Sequence, residues 1–437
     1  MHTLGAFERI LPHVQPLRWI ERNWKASRTT WTDENRQEIR VVVAIGEAGD
    51  PLGRSLTATV RRRQLPGLGG VAGGTLDTRE RDICERITAR ISHLIERFLA
   101  LPDEDQASTR AVRGSFDEAV VSEHINEHHH LSIKVSSILS SLHTLSEQTY
   151  ENKALVFGCV LDPDETNHGI TPSFPEPFLS TKKYKALSDG FRTAYHVSAE
   201  GAVIDFFDLD IIDSPRSSSR HYFPDWAERI ARASRENRCG IALTRQGDIL
   251  IFDEGILRFT YRFGRWRYWN HSHVVNLLRD RARAQRVPQS IVGNVVGSIY
   301  RAALDTSFRR SGGLFVILHN QRDIHEIVRA GDAIGDATRN QSDADFDSVV
   351  QSHKMQSLSR AVAVEIASLD GAVVLANSGN ILAYGAVLQP KKAGKIRGSE
   401  GSRTKAAIGA SNYGLAVKIS SDGDITVYFE GAEFFRI

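Results

Sequence analysis

Short apolar runs, set between helical patterns and turns rich in glycine and aspartate, constrain this chain more than any other feature. Ala154–Leu161 and Gly312–Leu318 are almost continuously apolar, which suits strands buried on both faces. Between such runs the period changes. Ile83, Ile87, Ile91, Leu94, Ile95 and Phe98 share one face of a helix predicted over Thr78–Leu101. A second helical stretch runs from Phe116 to about Thr149 and carries Leu131, Ile133, Val135, Ile138, Leu139, Leu142 and Leu145. Helices that alternate with apolar strands predict an α/β architecture.

The chain has 437 residues. At roughly 100–200 residues per domain, that length allows two to three domains with cores of their own. We read residues 1–235 as an α+β region with a possible break near 150, and 236–437 as a second domain. Tight hairpins are expected after Asp225–Asn237, which reads as helical. Ile241–Thr244 meets Asp248–Phe252 across Arg245-Gln-Gly247, and Ile256–Phe263 follows the turn Asp253-Glu-Gly255. Arginine and tryptophan alternate through 258–269. That could make a stacking platform for nucleic acid, but a strand with one buried face has the same pattern, and we favour the strand. Helices are expected at about His271–Arg286 and Gln289–Phe308, parted by Pro288, whose ring and missing N–H end the first.

Formal net charge is +2, from 55 basic and 53 acidic residues, which argues against a wholesale polyanion binder. Cys84, Cys159 and Cys239 stand far apart, with no Cys-x-x-Cys pair, as expected in a reducing cytosol. No apolar run is long enough to span a bilayer, and the N-terminus carries charge and proline where a signal peptide needs an apolar run. A cytoplasmic protein with no membrane partner is the expectation.

Three features are read as structural. The loop Leu65–Gly74 has dinucleotide-like glycine spacing, but Pro66 interrupts the strand such a motif requires. Asp162–Gly169 is acidic without the ligand spacing of a calcium loop. His124 and His128-His129-His130 include a pair four residues apart that could hold zinc, but no third ligand is evident, so they are read as a solvated or packed helical face.

The chemistry is expected between Ser311 and Gly431. Leu369–Ala376 and Ile381–Leu388 are apolar runs across the turn Asn377-Ser-Gly-Asn380, a hairpin. Asp370 opens the first run beside Gly371 and Ala372, so a ligand can approach the backbone closely. A carboxylate there suits a metal ligand or the activation of a hydroxyl. Downstream, a loop rich in Lys, Arg and Gly starts at Lys391 and leads into a helix predicted over Ser402–Ala410. The free N–H groups of that helix start, the Ser402 and Thr404 hydroxyls and the cations Arg403 and Lys405 form an anion site that a triphosphate fits.

These segments resemble the diadenylate cyclase domain family. In that family an Asp-Gly-Ala motif is followed by Gly-Thr-Arg-His-Arg-Ala-Ala and a Gly-Ile-Ser-Glu-like end to the helix. This chain reads Asp370-Gly371-Ala372, then Gly401-Ser402-Arg403-Thr404-Lys405-Ala406-Ala407, then Gly409-Ala410-Ser411-Asn412. The resemblance covers about Ser311–Gly431 and does not reach the first 230 residues. It implies a mixed central sheet flanked by helices, and the condensation of two ATP into cyclic di-AMP between two facing copies with Mg2+ or Mn2+. It places Asp370 on the metal and the 3′-hydroxyl, and Gly371, Ala372 and Leu388 along the adenosine. Gly401, Ser402, Arg403, Thr404, Lys405 and Ser411 would hold the phosphates. Thr404 stands in place of His, Lys405 of Arg, Asn412 of Glu and Leu369 of His. An enzyme and a nucleotide-binding sensor with reduced catalysis therefore both remain open.

Overall fold

The structure is a computed structural model. It describes the backbone of residues 14–23, 38–45 and 54–62, four positions of an upstream helix (Ile83, Arg86, Ile87, Arg90), and residues 113–437 apart from 166–173, 177, 212–221, 337–346, 348–349, 351–352 and 392–400. The loop Leu65–Gly74, most of Thr78–Leu101, the stretch Ser214–His221 and part of the acidic loop Asp162–Gly169 lie outside the described residues.

Helices and strands combine in both parts of the chain, so the expected α/β class holds. Contacts divide the described chain into two compact units that meet at Asn270/His271, later than the expected break at 235/236. The physical reason is strand pairing. The hairpins after residue 235 do not open a new sheet; they hydrogen-bond onto the strand at 157–162 and complete the first one.

In the first unit, β1 (Val14–Asn23), β2 (Glu38–Ile45) and β3 (Arg54–Arg62) form an antiparallel sheet with β3 in the middle. The long helical stretch expected from Phe116 is two helices, α1 (Arg113–His128) and α2 (Val135–Ser146). Asn126 breaks it. Its amide donates to the carbonyls of Leu131, at 3.1 Å, and Ile133, and its Oδ1 accepts from Val135 N at 3.0 Å. A short ladder, β4 (Thr149–Tyr150) with β5 (Lys153–Ala154), leads to β6 (Phe157–Asp162). After α3 (Lys182–Leu187) come β7 (Thr193–Ser198) and β8 (Val203–Asp208). Then α4 (Glu228–Ala233) precedes the meander β9 (Cys239–Leu243), β10 (Ile249–Asp253), β11 (Ile256–Arg262) and β12 (Arg265–Tyr268). The sheet order is β12-β11-β10-β9-β6-β7-β8, with β6 and β7 parallel. Trp266, Tyr268 and Trp269 are buried, and the Trp269 indole donates to Thr260 Oγ1 at 2.9 Å. The aromatic stripe is core, not a nucleic-acid platform.

The second unit opens with α5 (His271–Ala284) and α6 (Val292–Phe308). Next come β13 (Gly313–Leu318), α7 (Ile324–Ile327), α8 (Arg360–Ser368), β14 (Ala372–Leu375) and β15 (Ile381–Ala386). It closes with α9 (Ser402–Ala410), β16 (Gly414–Ile419), β17 (Ile425–Phe429) and β18 (Ala432–Arg436). The order is β15-β14-β13-β16-β17-β18, and only β13 and β14 are parallel. All six residues of β13 are buried, as a central strand covered on both faces requires.

The two large sheets share one plan, which the sequence reading does not foresee. In each, the first strand is central and the second lies parallel to it. The third runs antiparallel at the edge, and the fourth starts an antiparallel meander on the other side. Each central strand follows a helix pair, and each meander follows a single helix. The match extends to single bonds. Asp248 N donates to Thr244 Oγ1, and Asp424 N to Ser420 Oγ, both at 3.1 Å. Both turns use a left-handed glycine, Gly247 (φ 78°) or Gly423 (φ 84°). The next turns repeat Glu-Gly with positive φ at both residues, Glu254-Gly255 and Glu430-Gly431, the conformation of a tight hairpin. The chain carries one fold twice.

A buried ion pair holds the second unit's helices in register. Arg360 donates from Nε to Asp305 Oδ2 at 2.6 Å and from Nη2 to Oδ1 at 2.9 Å, which ties the start of α8 to α6. Asp305 is almost fully buried, so removing its partner leaves a charge without compensation. Arg360→Ala is expected to lower stability by about 3 kcal/mol, read from urea unfolding. A loss within the ~1 kcal/mol typical of exposed pairs would contradict this.

Candidate functional site

Strand register places Asp370. Phe315 lies opposite Val373 in the parallel pair β13–β14, so counting back three positions on each strand sets Asp370 level with Gly312. The helix α9 enters from the other side. It immediately precedes β16, whose Gly414 pairs with Leu318 at the far end of β13. Nine helical residues span about 14 Å, and six strand residues about 20 Å. A helix folding back along the sheet therefore returns its N-terminus toward the Gly312 end.

The side chains meet there. Arg403 Nη2 lies 3.6 Å from Asp370 Oδ1. A Cβ added at Gly312 would stand 2.0 Å from Arg403 Nη1, so the missing side chain makes the groove in which the guanidinium lies. Asp370 is fully exposed and Arg403 partly so. In that setting the pair contributes little to stability. Its value is positional, since both charges are free to turn to a ligand.

Backbone shape clears the space beside Asp370. Gly371 has φ 127°, and a Cβ on it would strike the Gly385 backbone at 2.3 Å; Gly385 itself has φ 56°. Two glycines facing across β14–β15 leave the strand edge bare. Ala372 pairs with Ala386, and both are buried. The helix start is open as well. Gly401 is the N-cap of α9 and has no side chain to cap the helix, and among the described residues nothing lies within 4 Å of where its Cβ would be. The first-turn N–H groups, which have no partner within the helix, add partial positive charge to Arg403 and to exposed Lys405. Ser402 is exposed, and Thr404 Oγ1 accepts from Lys418 Nζ at 2.9 Å. The basic loop between Lys391 and Gly401 lies outside the described residues.

Two expected members are elsewhere. Ser411 is buried; its hydroxyl donates to Ile408 O at 2.7 Å and accepts from Gly431 N at 3.0 Å, so it closes the turn after β17 and is not available to a phosphate. Leu388 lies past the end of β15, bridges to Val328 and packs against the core. Asn412 also turns inward, its amide directed at the carbonyls of Ile408 and Gly409.

The first unit does not repeat these charges. Leu243 pairs with Phe157 as Ile419 pairs with Gly313, each next to the equivalent turn. Cys159 then corresponds to Phe315, and its parallel partner Tyr195 to Val373. Three positions back, Arg192 stands where the second unit has Asp370. The helix equivalent to α9 is preceded by Asp225 and opens with Glu228, acidic where α9 is basic.

No protein-family model matches the chain, and comparison with curated proteins finds no match. Among solved structures, a double mutant of DacA from Staphylococcus aureus aligns at 23% identity and TM-score 0.24, over 34% of this chain and 89% of its own. A hypothetical membrane spanning protein from Bacillus cereus aligns at 19% identity and TM-score 0.26, over 38% of this chain and 74% of its own. Among the described residues of this chain, no helix is long and apolar enough to cross a membrane.

Ser411→Ala tests the turn. It leaves the buried Gly431 N–H without its acceptor and Ile408 O with only the Asn412 amide, so stability is expected to fall by about 1–3 kcal/mol in urea unfolding. Unchanged stability would contradict this role in the turn.

Proposed function

We propose that the second unit binds ATP between Asp370 and the start of α9, and that two copies condense their nucleotides into cyclic di-AMP. The observation that carries this reading is the 3.6 Å approach of Arg403 to Asp370 in front of a helix N-terminus whose N-cap is a glycine. A carboxylate, a guanidinium and free backbone N–H groups then face one open space. That combination suits a triphosphate whose sugar lies toward the carboxylate. The resemblance of the same residues to diadenylate cyclase motifs points to the same ligand.

In this reading the N–H groups of α9 and the side chains of Ser402, Arg403 and Lys405 hold the β- and γ-phosphates. Gly371, Gly385 and Ala372 leave room for the adenosine to lie against the strand edge. Asp370 orients the 3′-hydroxyl and accepts its proton as the oxygen attacks the α-phosphorus of the facing nucleotide. Pyrophosphate leaves, and the same step in the opposite sense closes the ring. Asp370 is a single exposed carboxylate, a donor set that suits a magnesium or manganese ion sharing its shell with water and phosphate. Such an ion would draw charge from the phosphates and favour loss of the 3′-hydroxyl proton.

A second reading has a specific observation behind it. Asn412, where the related motif has Glu, spends its amide on the α9 carbonyls, so among the described residues the site has one carboxylate where two could have shared a metal. A sensor that binds the nucleotide without turning it over would look the same.

Incubation of the full chain with ATP and Mn2+, followed by chromatography, separates the readings. Cyclic di-AMP and pyrophosphate are expected from the wild type, and neither from Asp370→Asn, which should still bind ATP. Arg403→Ala should weaken ATP binding at least tenfold, as loss of a charge-assisted hydrogen bond implies. ATP binding without product would leave the sensor. Undiminished turnover in Asp370→Asn would remove the assigned mechanism.

A further inference from the structure

The histidines at the end of α1 acquire a third partner on folding. Asp253, the last residue of β10, is buried between them: its Oδ1 lies 3.2 Å from His129 Nε2 and its Oδ2 3.6 Å from His128 Nε2. These three donor atoms lie within 4.8 Å of one another. Tetrahedral zinc, with bonds of about 2.0–2.1 Å, sets its donors about 3.3 Å apart.

The hydrogen positions sharpen the point. His129 Nδ1 is 2.8 Å from Asn237 O. A carbonyl only accepts, so Nδ1 carries the hydrogen. In a neutral ring Nε2 then presents a lone pair to a carboxylate oxygen, and neither atom makes a hydrogen bond of acceptable geometry. Two buried acceptors that face each other need a cation between them, either a proton on His129 or a metal ion. A ligating histidine held by a backbone carbonyl through its other nitrogen is the usual outer shell of a metal site. One cation and one ring kept neutral by burial border the group. Arg258 Nε lies 3.9 Å from Asp253 Oδ2, and the His124 ring stacks on His128 with centroids 5.9 Å apart.

The repeated fold supplies the comparison. Asp253 ends β10 as Phe429 ends β17, before the same Glu-Gly turn. In the second unit the last turn of the equivalent helix reaches this place with Arg281, whose guanidinium lies 4.9 Å from the Phe429 ring and 4.3 Å from the Phe434 ring. One unit joins helix to hairpin by a cation on aromatic faces. The other brings two imidazoles and a carboxylate to the same joint.

We propose that the first unit holds a divalent transition-metal ion of the zinc class between His128 Nε2, His129 Nε2 and the Asp253 carboxylate, clamping the end of α1 to the β10–β11 hairpin. His128 is the partly exposed ligand, so the fourth position opens to water on its side. Imidazole nitrogen with one carboxylate is a donor set for zinc or cobalt rather than for magnesium or calcium.

The test uses the full chain equilibrated with zinc, passed through gel filtration and assayed by elemental mass spectrometry. One zinc per chain is expected, together with a thermal midpoint that chelator lowers. Substitution with Co2+ should give the visible absorption of a tetrahedral ion. His128→Gln should weaken zinc binding by more than the roughly 10–100-fold that loss of an outer-shell partner costs. It should also abolish the chelator effect while the circular dichroism stays native. Asp253→Asn should lose the ion too; if that variant does not fold, His128→Gln alone decides. Wild-type protein that emerges without zinc, leaving a protonated His129 paired with Asp253, overturns the proposal. So does zinc retained undiminished in His128→Gln.

Discussion

The parallel pairing of β13 with β14 is the constraint on which the candidate site depends. It fixes the level at which Asp370 leaves the sheet, beside Gly312. The antiparallel pairing of β13 with β16 fixes where α9 must end, and the length of the helix decides where it starts. Three local facts therefore bring a carboxylate and a guanidinium together from segments far apart in sequence. Neither residue is held by burial. Their placement comes from backbone pairing, and their freedom from the glycines at 312, 371 and 385, where a Cβ would fill the space or distort the strand edge.

The duplication shows what the fold supplies and what the residues add. Both units share strand order, turn chemistry and the Glu-Gly hairpin, so these belong to the scaffold. The charges at the two strand ends differ: Asp370 with a basic helix start in one unit, Arg192 with an acidic start in the other. The proposed nucleotide site therefore rests on side chains that only one copy carries, as expected where function is grafted onto a fold. The helix–hairpin joint varies in the same way, with Arg281 on aromatic rings in one unit and histidines with Asp253 in the other.

Much of this was legible in the sequence. The α9 boundaries, the β13 strand and the β14–β15 hairpin follow from apolar runs and turn residues, and the meeting of Asp370 with the helix start follows from motif order. The repeat is also written in the sequence, in Asp248-Ile-Leu-Ile-Phe-Asp-Glu-Gly255 against Asp424-Ile-Thr-Val-Tyr-Phe-Glu-Gly431. The division at Asn270 is not legible locally, because a strand pairing between 157–161 and 239–243 is long-range and leaves no local signature. Asp253 as a partner for His128 and His129 was hidden for the same reason. The place of Ser411 is not legible, because a hydroxyl at a helix end reads alike whether it faces a ligand or closes a turn.

Hydrogen exchange on the full chain, with and without ATP, reports most directly on whether one nucleotide bridges the two elements. Slowed exchange is expected together at the amides of Gly371 on the strand edge and of Ser402, Arg403 and Thr404 at the start of α9. Protection at only one of the two segments, or at neither under saturating ATP, would contradict a shared nucleotide site.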